Sequence, residues 1–209
     1  MQHLLIPGPC GQLETLFVTP ADTEPTAIAI VCHPHPQQEG TMHNKVVTTL
    51  HKAFEYGNAA TLRFNYRGVG LSEGIFDNAV GECDDLRAII CWAQQQYPQL
   101  PLYLSGFSFG AYIAARVAND DQLAQRLVTV APAVDHYSFA NLTNIKCPWL
   151  VVHGDQDDVA TFSTVKAWAQ NPPSPLEFVV IKETGHFFHR RLIELRELII
   201  GWGIELINK

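Results

Sequence analysis

Residues 102–110 read LYLSGFSFG, an apolar run that ends in Gly-x-Ser-x-Gly. The small residues of Ala111 to Ala118 follow, and their composition favours a helix. The order of strand, Gly-x-Ser-x-Gly and helix predicts a sharp turn that presents the hydroxyl of Ser108 at the end of a strand. Gly106 and Gly110 suit this turn, because they remove side chains that would collide where strand and helix pass closely.

Outward from this segment, short apolar runs alternate with segments of helical period. Apolar residues recur at helical spacing in residues 46–54 and again in residues 86–97. This alternation predicts an α/β fold with right-handed βαβ crossovers and an open, mostly parallel sheet that carries helices on both faces. The central strands are expected at Ala27 to Cys32, Thr61 to Asn65, Leu102 to Ser105, Leu127 to Val130, Trp149 to His153 and Glu177 to Ile181.

Further elements are predicted outside the central strands. Leu13 to Val18 lies between Gly- and Pro-rich pieces, so the first 25 or so residues are expected to supply one or two edge strands. Acidic residues at 82, 84 and 85 suit the positive end of the helix dipole over residues 86–97. A last helix is predicted from one apolar stripe, formed by Leu192, Leu195, Ile199, Trp202 and Leu206.

The composition favours a large interior. Of 209 residues 47% are apolar and 17% are charged, against about 25% charged in a typical domain, and we expect residues 1–209 to form a single domain. Lys and Arg number 14 against 21 Asp and Glu, which gives a net charge of −7 without a basic run. The charge argues against a nucleic-acid or membrane-surface partner. Because no long apolar stretch or signal peptide is evident, a cytoplasmic protein is expected.

Five cysteines are present without a Cys-x-x-Cys pair. Neither a disulfide framework nor a zinc site is indicated by this number and spacing. We expect the cysteines to be reduced and mostly buried, as small hydrophobic residues.

A serine hydroxyl needs a base, and the base needs a partner that fixes its tautomer. An acidic turn, HGDQDDV at residues 153–159, follows the predicted strand at 149–153. Its carboxylates are Asp155, Asp157 and Asp158, and spacing alone does not choose among them. Asp155 or Asp158 could instead cap the next helix.

The candidate base follows the last predicted strand, at His186. Gly185 precedes it and lets the loop carry the imidazole over the sheet edge. His189 lies three residues further on, in the predicted final helix, and is the less favoured base. The resulting chain order is serine, acid and histidine, with a separation of 29 positions between Asp157 and His186.

Residues 32–40, CHPHPQQEG, follow the first central strand, where a second oxyanion donor would lie. The two prolines have no N–H, which leaves His35 and Gln37, and we favour the backbone N–H of His35. The first donor is expected to be the N–H of Phe109. A rival interpretation treats His33 and His35 as a metal pair completed by Asp155, Asp157 or His186, but it would leave the serine motif unexplained.

Two further features of the sequence could contribute to ligand binding. The loop RGVGLSEG at residues 67–74 lacks the glycine spacing of a dinucleotide site, and Arg67 is expected to tie loops together. Aromatic residues cluster around the proposed loops, where they form either core or an acyl pocket: Phe76, Phe107, Phe109, Phe187 and Phe188.

Taken together, these motifs resemble the α/β-hydrolase superfamily, and in particular small bacterial predicted hydrolases related to dienelactone hydrolases. The resemblance covers nearly the whole chain. It is carried by His33-Pro34-His35-Pro36, residues 40–47, residues 62–70, Gly106-Phe107-Ser108-Phe109-Gly110, His153-Gly154-x-x-Asp157 and Gly185-His186.

The resemblance implies about eight strands and assigns the acid to Asp157. Residues 131–146 supply at most one short helix, so a minimal cap and a small or short-chain acyl substrate are expected. The predicted function is a serine hydrolase that cleaves carboxylic esters through Ser108, His186, Asp157 and an acyl-enzyme, without a metal or other cofactor. The alternatives are a thioesterase of the same mechanism and a non-catalytic binding protein on the same fold.

Overall fold

A computed structural model describes the backbone of residues 1–204 and the side chains of residues 1–202. One sheet of eight strands is present, in the order β1-β2-β4-β3-β5-β6-β7-β8. The pairs β1/β2 and β2/β4 are antiparallel and the others are parallel. The strands are β1 (Gln2–Gly8), β2 (Gly11–Val18), β3 (Ala27–Cys32), β4 (Ala59–Phe64), β5 (Leu102–Phe107), β6 (Ala124–Val130), β7 (Trp149–Gly154) and β8 (Glu177–Ile181).

Five α-helices lie in the described part of the chain: α1 (Lys45–Tyr56), α2 (Gly81–Gln96), α3 (Phe109–Asp121), α4 (Phe162–Gln170) and α5 (Leu192–Ile199). Apolar residues of α1 and α5 form one core with the sheet, and those of α2 and α3 form a second core. Helices therefore cover both faces of the sheet, and every residue of β3, β4, β5 and β7 is buried. The predicted α/β fold and its mostly parallel sheet are confirmed.

Two acidic residues at the start of α2 make specific hydrogen bonds in addition to facing the positive end of the helix dipole. Glu82 is buried and accepts hydrogen bonds from the backbone N–H groups of Asp77 and Ala79, both at 2.8 Å. Asp85 is buried as well and pairs with Arg67. These two carboxylates fasten the loop before α2, which sequence spacing did not reveal.

Two expectations need correction. Only Cys32 and Cys83 of the five free cysteines are buried, so the cysteines are not mostly interior. His189 is exposed and precedes α5, because that helix begins only at Leu192. The predicted apolar stripe does pack on the core: Leu195 and Ile199 are buried, Leu192 and Trp202 are partly buried against the same cluster, and Leu206 lies outside the described residues.

The segment after β6 is short, as expected for a minimal cap. Within residues 131–146 the helical structure is a single 3₁₀ turn at Phe139–Asn141. None of the helices described is both long enough and apolar enough to cross a bilayer.

Candidate active site

Ser108 occupies the turn between β5 and α3 with φ 55° and ψ −114°. This is a costly conformation for a residue with a side chain, and it points to a local requirement. A Cβ at Gly106 would collide with the carbonyl of Gly110, and a Cβ at Gly110 would collide with the carbonyl of Cys32 in β3. The two glycines therefore permit α3 to start directly against the sheet.

A continuous chain of hydrogen bonds joins Ser108, His186 and Asp157. Nδ1 of His186 lies 2.8 Å from Oδ2 of Asp157, and Nε2 lies 3.1 Å from Oγ of Ser108. A carboxylate can only accept, so Nδ1–H donates to Asp157 and the unprotonated Nε2 accepts from the serine hydroxyl. All three residues are less than 10% exposed. The predicted serine, histidine and acid thus lie together, in the tautomer needed to remove a proton from Ser108.

The second carboxylate oxygen of Asp157, Oδ1, also accepts hydrogen bonds. Its Oδ1 accepts backbone hydrogen bonds from Val159 and Ala160, each at 2.9 Å. These bonds orient the carboxylate so that Oδ2 faces His186.

The two neighbouring carboxylates are placed differently. Oδ1 of Asp155 accepts from the backbone N–H of Thr184 at 3.4 Å, and Asp158 is exposed. Neither caps α4, whose first flanking residue, Thr161, makes no side-chain cap. Among the three acids that the sequence left open, Asp157 is the one that contacts His186.

A second imidazole lies behind Asp157. His153 is fully buried, and its Nε2 lies 3.0 Å from the carbonyl of Ala160 and 3.6 Å from Oδ2 of Asp157. Because a carbonyl only accepts, Nε2 carries the proton in this contact. Burial lowers the pKa of His153, which favours the neutral ring. Sequence reasoning used His153 only as part of a motif and missed that it faces the acid.

Two backbone N–H groups are free beside Ser108. Neither the N–H of His35 nor that of Phe109 has an acceptor among the described residues. His35, Phe109 and Ser108 line one cavity, and Phe109 is the first residue of α3. The helix dipole adds positive potential at that end, so this side of the cavity suits a developing negative charge.

His33 has no nitrogen left for a metal. Its Nε2 accepts from the backbone N–H of Tyr66 at 3.1 Å, and its Nδ1 lies 2.6 Å from the carbonyl of Pro34. Complete burial lowers its pKa to about 3, so the ring is neutral. The paired contacts join the loop after β3 to the loop after β4, and the rival metal pair with His35 is not formed.

The cavity beside Ser108 has a volume of about 210 Å³. Sequence reasoning missed most of its lining, although β6 ends at Val130 and the residues that follow lie at the same sheet edge. A larger groove of about 490 Å³ lies between α2 and the end of α3, but no serine or histidine lines it. The smaller cavity is lined by His35, Gln38, Ser108, Phe109, Ala133, His136, Tyr137 and Val159.

The aromatic cluster predicted from sequence divides between core and site. Phe109 lines the cavity, whereas Phe188 is completely buried in the core. The ring of Phe107 packs 4.9 Å from that of His186, and the half-exposed Phe187 meets the same imidazole edge-on at 5.1 Å. Both rings restrict the orientation of His186.

Arg67 has the loop-tying contacts expected of it. Its guanidinium makes hydrogen bonds of 2.7 to 3.1 Å to both carboxylate oxygens of Asp85, and its backbone N–H donates to Oδ2 at 2.9 Å. Both side chains are at least nine-tenths buried.

Comparison with known proteins agrees with this geometry. Residues 23–139, more than half of the chain, match the model of the family described as serine aminopeptidase, S33 (Hydrolase_4). The chain belongs to this family. It is a hydrolase of the α/β serine hydrolase superfamily, and the predicted superfamily is confirmed.

Two solved structures and one further relative are similar to this chain over most of its length. A serine hydrolase homologue from Coxiella burnetii is 50% identical with a TM-score of 0.93, and covers 97% of each chain. A Xanthomonas campestris protein described as an α/β serine hydrolase without a lid is 38% identical with a TM-score of 0.85, over 95% of this chain and 91% of that one. An uncharacterized protein of Rickettsia prowazekii is 34% identical over 99% of this chain and 90% of its own length.

Proposed function

We propose that this hydrolase cleaves carboxylic esters of small or short-chain acids through an acyl-enzyme on Ser108, within one catalytic domain spanning residues 1–209. The observation that carries the proposal is the chain of hydrogen bonds from Ser108 through His186 to Asp157. Ser108 also lines the cavity of about 210 Å³, so its hydroxyl can meet a small substrate there.

In the first half of the proposed reaction, Oγ of Ser108 attacks the ester carbonyl and its proton moves to Nε2 of His186. Asp157 stabilises the imidazolium through Nδ1–H, and the N–H groups of Phe109 and His35 stabilise the oxyanion. When the tetrahedral intermediate collapses, the bond to the alkoxide breaks and His186 returns the proton to it. The alcohol leaves and the acyl group remains on Ser108.

In the second half, water attacks the acyl-enzyme carbonyl and gives its proton to His186. Collapse of the second intermediate releases the carboxylic acid and returns the proton to Ser108. The short segment after β6 leaves room for water to reach the site, because within the described residues it forms only one 3₁₀ turn.

An ester is favoured over a peptide despite the description of the family. Recognition of a free amino terminus calls for a carboxylate near the serine, and none lies among the residues that line the described cavity. An alkoxide also needs less help to leave than an amine anion does. A cavity of about 210 Å³ lies below the range of roughly 300–1,000 Å³ for drug-sized ligands, which favours a short acyl group.

The test is hydrolysis of 4-nitrophenyl esters with acyl chains of two to twelve carbons. We expect a maximum at short chains and a loss of at least about 10³-fold in kcat/KM for Ser108→Ala. Ser163→Ala, an exposed serine of α4, is the matched control and should retain full activity. Equal activity of Ser108→Ala and wild type would contradict the proposal. The thioester of the preferred acid, run beside its ester, separates the two leaving groups.

A further inference from the structure

We propose that the cavity beside Ser108 selects short acyl groups that carry a second, uncharged oxygen, such as a keto oxygen, at the end remote from the scissile carbonyl. This inference rests on the proposed esterase function and names the acyl class that the site prefers. It follows from the burial of the residues that line the cavity, because the apolar Phe109 and Ala133 are buried whereas the polar Gln38 and His136 are exposed.

The acyl group, rather than the alcohol, is expected to occupy the cavity. The group that protonates the leaving oxygen must contact it, and that group is His186. His186 and Phe187 are absent from the lining of the described cavity, whereas His35 and Phe109, with their free N–H groups, belong to it. The alcohol therefore departs on the His186 side, and the acyl chain extends into the cavity.

The inner part of the cavity is apolar and rigid. Phe109 and Ala133 are buried, and the ring of Tyr137 lies 5.3 Å from that of Phe109. On its other side Tyr137 stacks on Tyr112 at 4.8 Å and an interplanar angle of 21°. These aromatic contacts form a fixed wall that suits the carbon atoms of a short chain.

The outer part carries N–H donors. Gln38 and His136 are exposed and His35 is half-exposed, and all three line the same cavity. An acyl chain that reaches past Phe109 and Ala133 meets these polar side chains. Amide and imidazole N–H groups bind an oxygen acceptor and gain nothing from a methyl group.

Of the three donors, His35 is the one whose tautomer and ring position are defined by contacts within the described residues. Its Nδ1 accepts from the backbone N–H of Gln37 at 3.1 Å, so the neutral ring carries its proton on Nε2. That N–H has no acceptor among the described residues, and the ring is held 5.0 Å from Phe76 and 5.1 Å from Phe109. Partial burial and the neighbouring His136 both lower the pKa of His35, which keeps the ring neutral.

A neutral partner suits these donors best. With His35 neutral, the ring offers a hydrogen bond without a full positive charge, so an ionised acid would gain little extra attraction there. A keto oxygen accepts such a bond, while a methylene of the same size does not. One neutral hydrogen bond is expected to raise kcat/KM by roughly 3- to 10-fold.

The experiment compares 4-nitrophenyl 5-oxohexanoate with 4-nitrophenyl hexanoate, which differ by one oxygen. We expect the ratio of their kcat/KM values to be roughly 3 to 10 in wild type, and to fall toward 1 in the triple variant His35→Leu, Gln38→Leu and His136→Leu, which removes all three donors. Val159→Ala, an apolar lining residue, is the matched control. It should change both esters in parallel and keep their ratio. A wild-type ratio of 1 or less, or a ratio unchanged in the triple variant, would overturn the proposal.

Binding to Ser108→Ala separates this inference from the proposed esterase function. The rise in melting temperature with the methyl ester of each acid reports binding without turnover. A larger rise with the 5-oxo ester supports the selectivity even if wild type hydrolyses neither substrate, an outcome that would reject the esterase function alone. Equal rises would reject the selectivity even if wild type hydrolyses both.

Discussion

The Oδ1 atom of Asp157 accepts the backbone N–H of Ala160 at 2.9 Å, which leaves Oδ2 to face His186. The backbone of the loop after β7 therefore determines which carboxylate oxygen of Asp157 contacts His186. Since Oδ1 also accepts from Val159, a replacement side chain must keep an acceptor at that position.

Asp157→Asn is expected to reverse the tautomer of His186. The amide oxygen must stay with the two backbone donors, so the NH₂ group faces Nδ1, and the proton of the ring moves to Nε2 toward Ser108. Nε2 can then no longer accept the serine proton. We predict a fall of about 10³- to 10⁴-fold in kcat, measured with the preferred ester. Asp158→Asn, one exposed position away, should remain within a factor of two or so of wild type, and equal losses in both variants would contradict this assignment.

Gly110→Ala should destabilise the protein and displace Ser108. The new Cβ would meet the carbonyl oxygens of Cys32 and His33, which belong to the backbone and cannot easily move. We expect a loss of roughly 1–3 kcal/mol or more, with about 2–4 °C in Tm for each kcal/mol. Gly201→Ala is the control, because no residue in the described part of the chain lies within 4 Å of its added Cβ. Calorimetry that shows the same Tm for both variants would be inconsistent with the close approach of α3 to the sheet.

The ion pair of Arg67 and Asp85 should contribute far more to the free energy of unfolding than the partly exposed ion pairs of Arg87. Arg67→Met leaves the carboxylate of Asp85, which has no exposed surface, without its partner, and we expect a loss of about 3–5 kcal/mol in the free energy of unfolding. Arg87→Met removes contacts to partly exposed carboxylates and should cost about 0–1 kcal/mol. Urea unfolding of both variants measures the difference, and comparable losses would argue against a structural role for Arg67.

Acid should destabilise the protein through its buried histidines. Burial lowers the pKa of His51 to about 4, against an ordinary value of 6.5. The unfolded chain therefore binds a proton that the folded chain does not, and stability falls as the pH drops from 6.5 toward 4. Between pH 7 and pH 5 this one ring accounts for roughly 2 kcal/mol.

The variant His51→Gln isolates that contribution. It removes the titrating ring while an amide can still reach Thr61, which lies 3.3 Å from Nε2 of His51. Between pH 7 and pH 5 we expect the free energy of unfolding to depend less steeply on pH in the variant, by the slope that corresponds to about one bound proton. This holds whatever the stability of the variant at pH 7. A slope identical to that of wild type would show that His51 titrates normally in the folded chain.

The sequence was a good guide where periodicity and burial act together. Each central strand was predicted to within a few residues, because a strand covered on both faces must be a continuous apolar run, as in Ala27–Cys32. The Gly-x-Ser-x-Gly turn was also predictable, since its glycines are needed for steric reasons. That Ser108, His186 and an acidic turn lie together follows from strand ends that share one edge of the sheet.

The features that could not be predicted from the sequence depend on contacts between distant parts of the chain. Residue types alone could not choose Asp157 over Asp155 and Asp158, because the choice depends on where the next backbone N–H groups point. Similarly, the spacing of His33 and His35 allows a metal pair, and it is the backbone N–H of Tyr66, which donates to Nε2 of His33, that argues against it. The roles of His136 and Tyr137 in the cavity depend on the path of the loop after β6, which has no periodic pattern.

Labelling with a fluorophosphonate, followed by mass spectrometry of the intact protein and its peptides, tests the central claim most directly. The account predicts a single adduct on wild type, located on Ser108, and none on Ser108→Ala. His186→Ala should label at least about 100-fold more slowly, because the hydroxyl loses its base. Absence of an adduct on folded wild-type protein, or an adduct on any residue other than Ser108, would contradict the account.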